Sequence, residues 1–136
     1  MRYLGVDLGR AKIGLALADD VLRTASPLKT VRRTSAVADL AALRLVLETY
    51  EVERAVVGLP FNMDGTEGAS ARLARAFARS LEEELGVPVE LYDERLSTFE
   101  AEMRMKERRI AGRDQRSRVD AWAAAVILQG WLEARR

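Results

Sequence analysis

The residue that most constrains this chain is Asp7, an acid set inside the apolar run Tyr3-Leu-Gly-Val-Asp-Leu8. Leu4, Val6 and Leu8 alternate with Tyr3, Gly5 and Asp7, the period of a strand buried on at least one side. A carboxylate withdrawn from water is costly unless something pairs with it. The fold must therefore bring a partner to Asp7, or the carboxylate must bond the backbone amides of the Gly9 turn. Gly9-Arg-Ala-Lys12 leads into a second run, Ile13 to Ala18, so Asp7 stands at the end of the first arm of a hairpin. On the second arm Ile13, Leu15 and Leu17 oppose Gly14, Ala16 and Ala18, a small-residue face on which a helix can pack closely.

The hairpin extends into a mixed sheet. Ala25 to Val31 reads as a weaker third strand that Pro27 confines to an edge or a bulge. Thr34 or Ser35 caps a helix running to about Tyr50, with Val37, Leu40, Leu43 or Arg44, and Leu47 at helical spacing. Arg54 to Pro60 is a continuous apolar run, as expected of a central strand buried on both faces. A strand, a helical crossover and another strand predict parallel pairing with right-handed chirality. A turn-rich loop, Asn62 to Gly68, precedes a helix with Leu73, Phe77, Leu81 and Leu85 on one stripe, closed by Gly86. Val87 to Tyr92 is a fifth strand ending in Asp93-Glu94. Ser97-Thr-Phe-Glu100 opens a basic helix broken at Gly112, and Ser117-Arg-Val-Asp120 starts a last helix. That helix would bury Val119, Ala123, Val126 or Ile127, and Gly130 or Trp131. No repeat or linker divides the chain, so residues 1–136 are expected to form one α/β domain around a five-stranded sheet of order 3-2-1-4-5, with helices on both faces.

In that order the carboxyl ends of the first, fourth and fifth strands share an edge, and the crevice between the first and fourth is a topological switch point where ligands bind. Asp7 and Asp93-Glu94 converge there. Strand alternation puts Asp93 and Glu94 on opposite faces, so one of them points inward; both also suit a strand-end turn. Asp120 is equally compatible with a helix cap and with a site. The chain has neither Cys nor His, which excludes disulfides, thiolate nucleophiles, Cys/His zinc sites and any triad built on a histidine base. Carboxylates that crowd together need cations, and oxygen-only ligation favours Mg²⁺ or Mn²⁺. Such ions serve in-line attack on phosphodiesters. The formal net charge is only +1, yet Arg104, Lys106, Arg108, Arg109, Arg113, Arg116 and Arg118 crowd one stretch against Glu107 and Asp114. That stretch, with Lys12 and Arg95, is a candidate nucleic-acid surface. The absence of a long apolar run and of a signal-peptide pattern suggests the cytoplasm.

Val6-Asp-Leu-Gly9 with Ile13-Gly-Leu-Ala16, Val57-Gly-Leu-Pro-Phe-Asn-Met-Asp-Gly-Thr-Glu67, Asp93-Glu-Arg-Leu-Ser-Thr98 and Val119-Asp-Ala121 together resemble the YqgF (RuvX) family. Its members are described as Holliday junction resolvases and as nucleases that mature the 5′ end of pre-16S ribosomal RNA. The resemblance runs almost end to end. It implies a ribonuclease H-like fold, metal-dependent phosphodiester cleavage, and an acidic set on Asp7, Glu94 and Asp120, thus preferring Glu94 to Asp93. One departure concerns the wider ribonuclease H-like superfamily: its acid at the end of the fourth strand is replaced by Leu59-Pro60, with Asp64 the nearest acid on the loop.

The expected substrate is precursor rRNA or branched DNA, and the expected state a monomer or weak homodimer. Two readings from other classes compete with a nuclease. Asp-Leu-Gly followed by a glycine-containing strand also resembles the phosphate loop of actin-like ATPases, but those need a second lobe. A noncatalytic RNA-binding or transcription-associated module would bind nucleic acid without cutting it.

Overall fold

The computed structural model describes residues 1–96 and 119–135, with the backbone alone for Leu96, Val119 and Asp120. The capping box at Ser97 and the basic stretch from Arg104 to Arg118 lie outside the described residues. Five strands, β1 (Arg2–Leu8), β2 (Lys12–Asp19), β3 (Ser26–Arg32), β4 (Arg54–Leu59) and β5 (Val89–Asp93), form one sheet of order β3-β2-β1-β4-β5. β1 pairs antiparallel with β2 and parallel with β4, so the sheet changes sense beside Asp7 as expected. β4 and β5 are also parallel. β3 is an edge strand, and its register slips by one residue at Leu28, next to Pro27.

Alternation along β1 sorts the two layers. Leu4 and Val6 join Ile13, Leu15 and Val57 against α1 (Ala36–Thr49) and α2 (Ala69–Leu85), through Leu43, Leu47, Phe77 and Leu81. Tyr3 joins Ala16, Val56 and Tyr92 on the other face, against α3 (Val119–Ala134), through Ala124, Leu128 and Trp131. Each fully buried aliphatic side chain in these layers contributes about 1.5–3 kcal/mol.

Helix ends follow local chemistry. The Ser35 hydroxyl accepts the Ala38 N–H at 3.1 Å and starts α1. Gly86, at φ 72°, ends α2 in the left-handed region and donates its N–H to the Glu82 carbonyl at 3.1 Å. Three expectations of phase are corrected. Val37 and Leu73, at the starts of their stripes, are exposed, whereas Leu43 and Leu47 of α1 and Phe77 and Leu81 of α2 are buried as expected, with Ala74 beside them. In α3, Ala123 is only half-buried; Ile127 rather than Val126 is buried, with Gly130 and Trp131 as expected, and Ala121, Ala124 and Leu128 complete the sheet-facing row.

α3 runs antiparallel to β1. Trp131 stacks edge-on against Tyr3, with ring centroids 5.0 Å apart, whereas Ala124 and Leu128 cover Gly5. The Arg135 guanidinium lies 4.4 Å over the Trp131 ring, and the Trp131 indole N–H donates to Glu90 at 3.2 Å. The C-terminal end of α3 is thereby fastened at the start of β1. Its first turn, with position 120, is carried towards the opposite edge, where Asp7 lies.

Candidate active site

Asp7, near the end of β1, is paired with Gly14 on β2 and shares its face with Gly5, which α3 covers. Directly opposed residues of an antiparallel pair share a face. Gly14 therefore adds no side chain beside the Asp7 carboxylate. An open groove of about 310 Å³ runs there, lined by Asp7, Gly9, Arg10, Ala11, Lys12 and Gly14.

Glu94 reaches the same face from the β5 side. Tyr92 pairs with Gly58 and lies against Gly130 of α3, so alternation sends Asp93 to the other face and Glu94 back to the α3 side. Glu94 heads a short 3-10 turn, Glu94–Leu96. Its carboxylate lies over Gly58, where a Cβ would stand 2.6 Å from Glu94 Oε1. Burial pushes the Glu94 pKa up to about 7, with further contributions from the charges of Asp7 and Asp93. Desolvation and a neighbouring negative charge both disfavour the ionised form. Asp7 and Glu94 thus lie on one face of the switch-point edge, near enough that the charge of Asp7 acts on Glu94.

The other acids of this edge are differently employed. Asp93 accepts the Arg95 backbone N–H at 2.9 Å and the Arg95 guanidinium at 2.8 Å, which holds its pKa below the usual range. Arg95 also lies 4.9 Å over the Phe61 ring. Asp64 accepts the Thr66 hydroxyl at 2.6 Å and the Thr66 N–H at 3.0 Å, a local turn on the loop surface. These bonds lower its pKa. Asp64 closes its own turn, as short Asx side chains do in loops. Among the described residues no three acids converge closely enough to cage a metal. The side chain of Asp120 lies outside the described residues, but its backbone is in the first turn of α3.

The family model of RuvX, described as Holliday junction resolvase, matches residues 1–134. The chain belongs to the RuvX family. A protein of Anaeromyxobacter sp. (strain Fw109-5) named "Putative pre-16S rRNA nuclease" is 67% identical over 99% of this chain and 98% of its own length. One of the same name from Myxococcus xanthus is 50% identical over 100% of this chain and 90% of its own length. Among solved structures, Thermus thermophilus RuvC in complex with Holliday junction substrate superposes with a TM-score of 0.67 at 21% identity, covering 99% of this chain and 95% of RuvC. That likeness bears out the ribonuclease H-like fold, as the sheet itself bears out the expected strand order.

Two features of this RuvX site were not assigned a role in the sequence. Gly58 is the floor beneath Glu94. Arg33 is the second. Its N–H donates to the Ala11 carbonyl at 2.8 Å and its guanidinium to the Gly9 carbonyl at 3.0 Å, so it holds the turn that follows Asp7. The run Arg32-Arg33 beside a predicted strand end was the available signal.

Proposed function

We propose that this RuvX chain is a metal-dependent nuclease that processes the 5′ end of pre-16S rRNA in the cytoplasm. The observation that carries the reading is the Asp7–Glu94 pair: two oxygen donors on one face of the sheet edge, the second buried enough, and near enough to the charge of the first, to hold its proton near neutrality. A hard divalent ion is the partner that relieves this repulsion, and a chain without His or Cys offers it oxygen alone. Asp7, Glu94 and Asp120 would hold Mg²⁺ or Mn²⁺; when bound, such ions supply Lewis acidity at the reacting phosphate.

The residues themselves orient the reaction. The water oxygen forms a bond to phosphorus as the bond to the leaving ribose oxygen breaks, and the proton released by water is returned to that oxygen through solvent. Lys12, on the groove wall, positions a phosphate next to Asp7. Arg95 keeps Nε and Nη2 on Asp93 and leads Nη1 towards the loop at Gly65. The basic residues Arg104, Lys106, Arg108, Arg109, Arg113, Arg116 and Arg118 contribute charge for the polyanion. The names of the relatives support the RNA substrate. The family description and the RuvC complex support a second reading, cleavage of four-way DNA junctions.

The two are separated by offering wild-type protein a 16S precursor with its 5′ extension and a four-way DNA junction, each with Mg²⁺ or Mn²⁺ and with chelator. Cleavage confined to the RNA and to samples with metal is expected. Asp7→Asn should abolish it while the protein still melts cooperatively. Equal activity in the variant overturns the nuclease assignment, and cleavage of the junction alone moves it to the second reading.

A further inference from the structure

The groove beside Asp7 has a wall that neither the acid pair nor the basic stretch beyond residue 96 accounts for. Lys12 pairs with Arg32 across β2 and β3, two positions along β2 from Gly14, which pairs with Asp7. Strand alternation therefore puts Lys12 and Arg32 on the same face as Asp7. Arg10 lines the groove from the turn, and Arg10, Lys12 and Arg32 are all exposed.

The wall is also held in place. The turn closes through the Gly9 N–H on the Lys12 carbonyl at 2.9 Å. Arg33 ties Gly9 and Ala11 to the end of β3. Arg33 in turn lies 3.5 Å from Asp39, a buried carboxylate that also accepts the Thr34 N–H at 3.0 Å. Asp39 is thus spent on holding Arg33, while Arg10 and Lys12 line the groove and Arg32 is paired beside Lys12. A turn whose backbone is held in this way loses little backbone freedom when a ligand arrives.

We propose that the β1–β2 turn and the end of β3 form a backbone-binding lip for nucleic acid, in which Arg10, Lys12 and Arg32 hold consecutive phosphates on the β3 side of Asp7. The lip rests on the nucleic-acid reading above and extends it: the strand crosses the sheet edge from β3 towards β5, with the acid pair beneath its middle. Recognition here is by charge and is independent of base sequence.

The test separates binding from cleavage by working in Asp7→Asn. Arg10→Gln and Arg32→Gln, singly and together, are titrated with one structured RNA by fluorescence anisotropy across a salt series. Each is expected to reduce the slope of log affinity against log salt by about 0.7–0.9, and the pair by about twice that. Arg79→Gln, on α2 in the opposite layer, removes the same charge and should leave the slope as it was. A double variant that melts like its parent and keeps the parental slope overturns the lip, as does one indistinguishable from Arg79→Gln. Wild-type protein that cleaves while the double variant keeps its slope leaves the nuclease reading standing without the lip. Protein that never cleaves but loses slope in the double variant supports the lip and removes the nuclease. Absence of RNA binding at every salt concentration overturns both.

Discussion

The Glu94 carboxylate rests on Gly58: a Cβ built there would stand 2.6 Å from Glu94 Oε1, 3.1 Å from Glu94 Cγ and 2.5 Å from Ile127 Cδ1. Glycine at this point of β4 lets an acid from the neighbouring strand fold back over the sheet towards Asp7. Gly58→Ala should displace Glu94 and Ile127 together. The expected result is loss of cleavage by ten-fold or more with about 1–3 kcal/mol of destabilisation from overpacking. Denaturant melts beside a cleavage assay check it, and unchanged activity would mean that Glu94 does not act from this position.

Glu94 also carries a pH signature. Its pKa is about 7 in the folded protein against an ordinary 4.5, so the folded state binds this proton more tightly than the unfolded chain. The stabilisation is complete below about 4.5 and lost as pH rises through about 7. Solvent screening of a partly exposed carboxylate brings its size to about 1–2 kcal/mol. Metal-free protein should therefore lose more stability between pH 5 and pH 8 than Glu94→Gln does. Because Asp93, Asp64 and Asp20 are shifted in the opposite direction, the difference between the two proteins is the quantity to measure. Identical pH profiles would remove the assignment.

The strand order, the switch point and the arrival of Asp7 and Glu94 at one edge were legible in the sequence, because period-2 alternation and short connections leave few topologies. Alternation also says that Asp93 and Glu94 face apart. Which of them faces in depends on Tyr92 packing against Gly130, a contact between residues far apart in the chain. Gly5 and Gly58 are likewise ordinary strand glycines until the third dimension shows what lies above them. The helix phases at Val37 and Leu73 were misjudged because both helices carry more apolar residues than the sheet covers. Arg32 and Lys12 become neighbours only through the β2–β3 register.

Asp39 offers a test of the support beneath the turn. The residue is 4% exposed, and its carboxylate accepts the Thr34 N–H at 3.0 Å and lies 3.5 Å from Arg33. Asp39→Ala leaves that N–H without its acceptor and releases Arg33, at an expected cost of about 2–3 kcal/mol. Asp39→Asn keeps an acceptor for Thr34 and should lose less. Equal stability of both variants and the wild type in denaturant would show that the clamp contributes nothing.

Gly5 decides how closely α3 approaches β1. A Cβ there would lie 2.8 Å from the Ala124 carbonyl oxygen and 2.8 Å from Leu128 Cβ. A helix backbone cannot yield as a side-chain tip can, so Gly5→Ala must push α3 outward, at about 1–3 kcal/mol. The displaced helix carries position 120 in its first turn. Cleavage should therefore fall further than the lost stability explains, at temperatures where the variant is folded. Gly86→Ala is the comparison: its left-handed φ of 72° makes alanine strained, by about 1 kcal/mol, but nothing lies within 4 Å of the new Cβ. It should weaken the fold and leave cleavage at wild-type rates. If both variants retain full activity, the seating of α3 on β1 does not set the geometry of the site.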